Sequence, residues 1–160
     1  MDYYLGKDII LSSKQADELE GIMQRLRNFE PIQYVQGIAH FLGREFKVAP
    51  GVLIPRPETE ELVELMLKEI QADVRILDIG TGSGCIAVSL SKELPKAKVT
   101  AWDISEKALD VARENNVALK SNVRFVLHDV LGCQPLPEEC YDVIVRIAPP
   151  FPLSCFSASS

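Results

Sequence analysis

Between an apolar run, Val74, Ile76 and Leu77, and the run Cys85-Ile86-Ala87-Val88-Ser89-Leu90 stands the stretch Asp78-Ile79-Gly80-Thr81-Gly82-Ser83-Gly84. A short buried strand, a glycine turn and a helix start are therefore written back to back. Glycine admits positive φ and lets a ligand approach the main chain closely. The turn hands over to a helix N-terminus, whose free N–H groups and positive dipole end favour a polar or anionic ligand group.

The glycine spacing narrows the ligand. A dinucleotide fingerprint runs G-x-G-x-x-G. Here the glycines fall at 80, 82 and 84, with an acid two residues before the first. The order resembles the first motif of class I S-adenosylmethionine-dependent methyltransferases. Asp78, at a strand's C-terminal end, can hold an ammonium or a water near the loop. Another nucleotide, or a purely structural turn, would use a similar strand, turn and helix.

Further along, Lys98-Val99-Thr100-Ala101-Trp102-Asp103 reads as a second strand ending in an acid. A carboxylate there can accept hydrogen bonds from both hydroxyls of a ribose, or serve as a turn or cap aspartate. Ser105 can cap the next helix, which runs through Ala108, Leu109, Val111 and Ala112 to Asn115-Asn116. Val123, Phe125 and Leu127 alternate as a third strand leading to His128-Asp129-Val130. Asp129 could meet an adenine amino group and Val130 pack on the ring, unless both lie on a surface loop. Tyr141-Asp142-Val143-Ile144-Val145 reads as a fourth strand. The succession implies an α/β fold with parallel strands and helices on the faces. Ligands in such sheets bind at the carboxyl ends of the strands, where Gly80, Thr81, Gly82, Ser83, Gly84, Asp103, Asp129 and Val130 would gather.

Upstream, Ser12 and Gln15 form a capping box, followed by Leu19, Ile22, Met23 and Leu26 at helical spacing, which reads as core packing. Residues 1–11 read as the end of a helix whose beginning is absent. Phe41 to Val48 reads as two short strands about a turn near Gly43. Pro57 suits a first helical turn, with Glu58, Glu60 and Glu61 at the favourable dipole end and Leu62, Val63, Met66, Leu67 and Ile70 as the buried face.

Totals exclude some classes. The net charge of −6 argues against a partner held through phosphates, so nucleic acid is not expected. No apolar run approaches the roughly 18 residues of a membrane span, and no secretory signal opens the chain. The four cysteines (85, 133, 140, 155) show neither a C-x-x-C pair nor metal-ligand spacing, which fits a reduced, cytoplasmic setting. Cys85 follows the glycine turn, where a helix N-terminus could lower its pKa; the alternative is a small buried residue. His40 and His128 read as structural.

Together, Pro31-Ile32-Gln33-Tyr34 with Gly37, Gly51-Val52-Leu53-Ile54-Pro55-Arg56-Pro57-Glu58-Thr59-Glu60, the run Leu77 to Gly84, Ala101-Trp102-Asp103 and Tyr141 to Val145 resemble the HemK/PrmC protein-glutamine methyltransferases. The likeness covers residues 31–145, and the Ile-Pro-Arg-Pro-Glu-Thr-Glu stretch is its most specific part. It implies S-adenosyl-L-methionine as cofactor. It also implies N5-methylation of the glutamine in the Gly-Gly-Gln motif of peptide-chain release factors. The fold implied is a Rossmann-like methyltransferase core behind a helical segment and a β-hairpin linker. On that pattern residues 1–30 are a remnant of an N-terminal helical domain, 31–56 the linker, 57–150 the first part of the methyltransferase domain and 151–160 an irregular tail.

The family's catalytic Asn-Pro-Pro-Tyr follows the fourth strand. Here the chain reads Arg146-Ile147-Ala148-Pro149-Pro150-Phe151, so Pro149, Pro150 and Phe151 remain but Ala148 stands where Asn is expected. No catalytic residue is assigned. The expectation is a core truncated at both ends, or frameshifted near its end, with little or no transfer activity. A non-catalytic module binding an adenosine compound or a protein, and a DNA adenine methyltransferase, are the competing readings.

Overall fold

A computed structural model describes residues 11–70, 73–132 and 140–147. It divides into two compact units, one ending at Gln36 and the other beginning at Gly37.

In the first unit, α1 (Ser13–Arg27) opens on the expected capping box: the Gln15 N–H donates to Ser12 Oγ at 3.4 Å and the Ser12 N–H to Gln15 Oε1 at 3.0 Å. Arg25 and Arg27 sit in its last turn, complementing the helix dipole. Arg25 also grips Glu30 through two bonds (2.8 and 2.6 Å) and donates to the Tyr34 carbonyl at 3.0 Å, tying α1 to the short α2 (Ile32–Gln36). The apolar stripe differs from expectation. Leu19, Ile22 and Met23 are 47%, 39% and 40% exposed, and no residue of α1 is buried. Within its unit α1 packs on α2 alone among the described residues, and five residues cannot cover a four-turn face. The helix end expected over residues 1–11 lies almost wholly outside the described residues.

The second unit begins with the antiparallel hairpin β1 (Ile38–Phe41) and β2 (Arg44–Lys47). Leu42 and Gly43 both take positive φ (47° and 68°), the two-residue turn whose twist matches paired strands. Phe41 and Phe46 are fully buried and meet edge to face, ring centroids 6.1 Å apart. A lone hairpin is marginal in water; this one is anchored by Asn115, as described below.

Helix α3 (Pro57–Glu69) starts with Pro57 in its first turn and acids at 58 and 60. Val63 is fully buried, and Met66, Leu67 and Ile70 pack half-buried on the core. Leu62, expected on that face, is exposed. It lies one residue (about 100°) around the helix from Val63, beyond the narrow stripe that α3 lays on the core.

Four parallel strands follow: β3 (Arg75–Ile79), β4 (Lys98–Asp103), β5 (Val123–Leu127) and β6 (Val143–Arg146), in the spatial order β5-β4-β3-β6. Helix α4 (Cys85–Glu93) joins β3 to β4, and α5 (Glu106–Ala118) joins β4 to β5. Six consecutive residues of α4, Cys85 to Leu90, are buried, so this helix is apolar nearly all round. All of them but Ser89 pack with Ile76, Val99, Ala101, Val123 and Val145 into one core. β6 starts two residues later than the expected Tyr141, because Asp142 instead caps the entry to β3: its Oδ2 accepts from the Arg75 N–H at 2.7 Å.

The chain therefore travels outward from β3 to β5 and then returns to the other side of β3. That reversal lies between β3 and β6. It opens a crevice at their carboxyl ends, the place where such sheets bind ligands.

Candidate functional site

The glycine loop leaves β3 into this crevice. Gly80, Gly82 and Gly84 all take positive φ (75°, 57° and 79°). The Gly80 and Thr81 N–H groups both donate to the Trp102 carbonyl, at 2.8 and 3.0 Å, which moors the loop to the end of β4. Gly84 is the N-cap of α4. A Cβ there would lie 3.0 Å from Ala112 Cβ and 3.3 Å from its Cα, so the absent side chain lets α4 and α5 close together.

Asp78 lines neither of the cavities described below. Its side chain is 1% exposed and accepts from Thr81 Oγ1 at 2.7 Å and from the Ala87 N–H. Burial pushes its carboxyl up to about 6, against the lowering effect of these bonds. Its visible role is to brace the loop from beneath.

Asp103, at the end of β4, lies at the mouth of the crevice. Its Oδ2 accepts from the Gly82 N–H and its Oδ1 from the Ser105 N–H, both at 2.9 Å. Each carboxylate oxygen keeps acceptor capacity beyond one bond. Asp103 is thus fixed in place and still able to receive the two hydroxyls of a ribose. Asp129 is held by the Leu131 N–H, which donates to its Oδ1 at 3.0 Å.

Two cavities flank the loop. One, of about 220 Å³, is lined by Gly80, Trp102, Asp103, Ile104, Asp129 and Val130, with His128 in its wall. The other, of about 90 Å³, runs between Gly80–Ser83 and the segment Leu53 to Arg56, with Thr59 beside it. Gly80 and Ile147 border both. The structure thus brings Gly80, Asp103, Asp129 and Val130 to one cavity and Gly80, Thr81, Gly82 and Ser83 to the other. Gly84 and Asp78 stand behind them as packing and bracing residues. Pro149, Pro150 and Phe151 lie outside the described residues.

Cys85 departs from one expectation. Burial at the start of an apolar helix pushes its thiol up to about 12, outweighing any help from the helix N-terminus, so it is an unreactive packing residue. His128 packs against Trp102 with the rings tilted by 54° and their centroids 4.6 Å apart, and its backbone N–H donates to the Asp103 carbonyl at 2.9 Å. It is a structural wall of the larger cavity.

One residue the sequence reading passed over carries much of the architecture. Asn115, 3% exposed, accepts from the Lys47 N–H at 2.7 Å and donates to the Lys47 and Ser83 carbonyls at 3.0 and 2.8 Å. It ties the hairpin, the glycine loop and α5 at one point. Its signal was faint: Asn is a poor residue for the interior of a helix.

A nucleoside suits the larger cavity: a fixed carboxylate for a diol, an acid beyond it, and apolar walls from Ile104, Val130 and Trp102. The sequence profile of the Methyltransferase small domain matches residues 48–154, spanning every one of these side chains. The chain belongs to that methyltransferase family. It is 58% identical over 149 residues to the release factor glutamine methyltransferase of Bacteroides thetaiotaomicron, a match covering 93% of this chain and 54% of the relative. It is 43% identical over 154 residues to the enzyme of the same name from Flavobacterium psychrophilum, again 93% and 54%. The likeness to glutamine methyltransferases stated from the sequence is therefore borne out, and the chain spans about half the length of these curated relatives. Among solved structures, a methyltransferase from Pyrococcus furiosus superposes with a TM-score of 0.56 at 26% identity, over 82% of this chain and 62% of that one. The tRNA (uracil-54, C5)-methyltransferase of Pyrococcus abyssi, at TM-score 0.53 and 18% identity over 67% of this chain and 26% of that one, shares the fold.

Proposed function

We propose that this chain carries the methyl-donor site of a release factor glutamine methyltransferase, with S-adenosyl-L-methionine as donor. The observation that carries the proposal is the placement of Asp103. It is locked by Gly82 and Ser105 at the border of a cavity whose far wall is Asp129 and Val130. Asp103 would receive the ribose hydroxyls and Asp129 the adenine amino group. Val130 and Ile104 would cover the ring, and the Gly80–Ser83 backbone would border the methionine end.

The bound donor supplies an electrophilic methyl group on a sulfonium. An amide nitrogen is a weak nucleophile because its lone pair is delocalised into the carbonyl. Transfer forms an N–C bond, breaks the S–C bond and releases one proton from nitrogen. The protein's part is positioning and charge stabilisation. On this reading the chain works in the cytoplasm, with a release factor as protein partner. Among the described residues no helix is long and apolar enough to cross a membrane.

Ala148, where the resemblance calls for Asn, favours a donor-binding chain with weak transfer. Two assays test the proposal together: calorimetric titration with S-adenosylhomocysteine, and transfer of labelled methyl to a release factor. Saturable binding with little transfer is expected. Efficient labelling of the Gly-Gly-Gln glutamine would refute the impaired-transfer part, and a folded chain that binds no donor product would refute the whole.

A further inference from the structure

A third cavity, of about 280 Å³, lies at the amino ends of β3, β4 and β5. Side chains alternate across a strand, and Val99, Ala101 and Val123 pack with α4. Lys98, Thr100 and Arg124 therefore point to the opposite face of the sheet. There Lys98 pairs in register with Arg75, and Thr100 with Arg124. The three cations line the cavity with Asn122 and Tyr141, and among the described residues no acid does. The donor crevice is at the far end of the same strands, about 16 Å away along β4.

Arg75 is held in place. Its N–H donates to Asp142 Oδ2 at 2.7 Å, and its carbonyl accepts from the Asp142 N–H at 2.9 Å. Its guanidinium lies 5.7 Å from the centroid of the Tyr141 ring, which meets the buried Trp102 edge to face with 6.1 Å between centroids. Thr100 is 7% exposed and is a polar wall of the cavity. Among the described residues neither its hydroxyl nor the exposed Lys98 ammonium makes a hydrogen bond or an ion pair. In a chain of net charge −6, three cations about one cavity are a local feature and not a share of a basic surface.

We propose that this cavity binds the oligophosphate group of a small molecule, at a site separate from the donor crevice. Guanidinium groups take phosphate oxygens through paired N–H bonds, a lysine adds a point charge, and the Thr100 hydroxyl and Asn122 amide supply donors for the remaining oxygens. The volume matches the lower end of small-molecule pockets, about 300 Å³. Nucleic acid fits less well, because its binders typically neutralise about 6–10 phosphates and this cavity offers three cations. The proposal does not rest on methyl-donor binding.

The probe is inorganic tripolyphosphate, titrated by calorimetry into the 160-residue chain. One saturable site is expected. Lys98→Met should weaken it by about tenfold or more, and Lys98→Arg should keep most of the affinity. Lys68 is an exposed lysine of α3, which packs against α4 on the other face of the sheet, so Lys68→Met should stay within about twofold of the parent. Circular dichroism checks that each variant is folded; Lys98 makes no bond whose loss would lower the melting midpoint. No saturable binding to the parent, or the same change in Lys68→Met as in Lys98→Met, overturns the site. Citrate or a single-stranded oligoribonucleotide binding more tightly than tripolyphosphate overturns the ligand class.

Discussion

Asp78 makes a quantitative demand on the structure. Its carboxyl is pushed up from 3.8 to about 6 by burial beneath the glycine loop. A carboxyl whose folded pKa is raised binds its proton more tightly in the native state than in the unfolded chain. Its effect is absent below pH 3.8, grows as a destabilisation through the window from 3.8 to about 6, and is constant above it. The full size is the shift, 2.2 units, times about 1.36 kcal/mol per unit, or about 3 kcal/mol. Between roughly pH 4.5 and pH 7.5 the linkage relation gives a loss of about 2 kcal/mol from this one group. Asp78→Asn removes the titration and keeps one carbonyl oxygen to accept from the Thr81 hydroxyl. The new amide N–H₂ will lack a partner and lower stability at every pH. The diagnostic is therefore the pH dependence of the difference. Urea unfolding of both proteins at the two pH values should show the parent losing about 2 kcal/mol relative to the variant as pH rises. A stability difference that stays flat across this range refutes the buried, proton-holding Asp78.

Other substitutions follow from the same geometry. Gly84→Ala combines positive φ with a Cβ 3.0 Å from Ala112, and should cost at least about 2 kcal/mol in urea unfolding; Gly43→Ala, with open space around it, should cost about 1 kcal/mol. Asn115→Ala strands one N–H and two carbonyls and should lower stability by about 2–4 kcal/mol, with hydrogen exchange rising first in the β1–β2 hairpin. Phe46→Ala empties a fully buried site between hairpin and core and should cost about 3–5 kcal/mol, read as a lowered melting midpoint.

The second unit was legible because its strands and helices announce themselves locally. Apolar runs of strand length end in Asp78 and Asp103, glycines stand at 80, 82 and 84 where the loop after β3 takes positive φ, and Ser105 caps α5 with its hydroxyl accepting from the Ala108 N–H. The larger cavity was legible for the same reason: residues at the carboxyl ends of parallel strands must converge. What stayed hidden depends on contacts between distant segments. Asn115 meets Lys47 across 68 positions, and no periodicity announces that pairing. Asp78 has the sequence position of a ligand but the burial of a brace, because Thr81 and Ala87 fold over it. The stripe on α1 has the pattern of a packed face, yet pattern alone does not supply a partner large enough to cover it.

The most direct test of the central claim is the affinity of S-adenosylhomocysteine for the parent chain and for Asp103→Ala, measured by titration calorimetry beside a circular dichroism check of folding. The account expects one saturable site in the parent and a loss of about tenfold or more in the variant, since a carboxylate receiving two ribose hydroxyls is removed. Unchanged affinity in a folded Asp103→Ala chain would contradict it, because the donor would then be held somewhere other than the crevice at the end of β4.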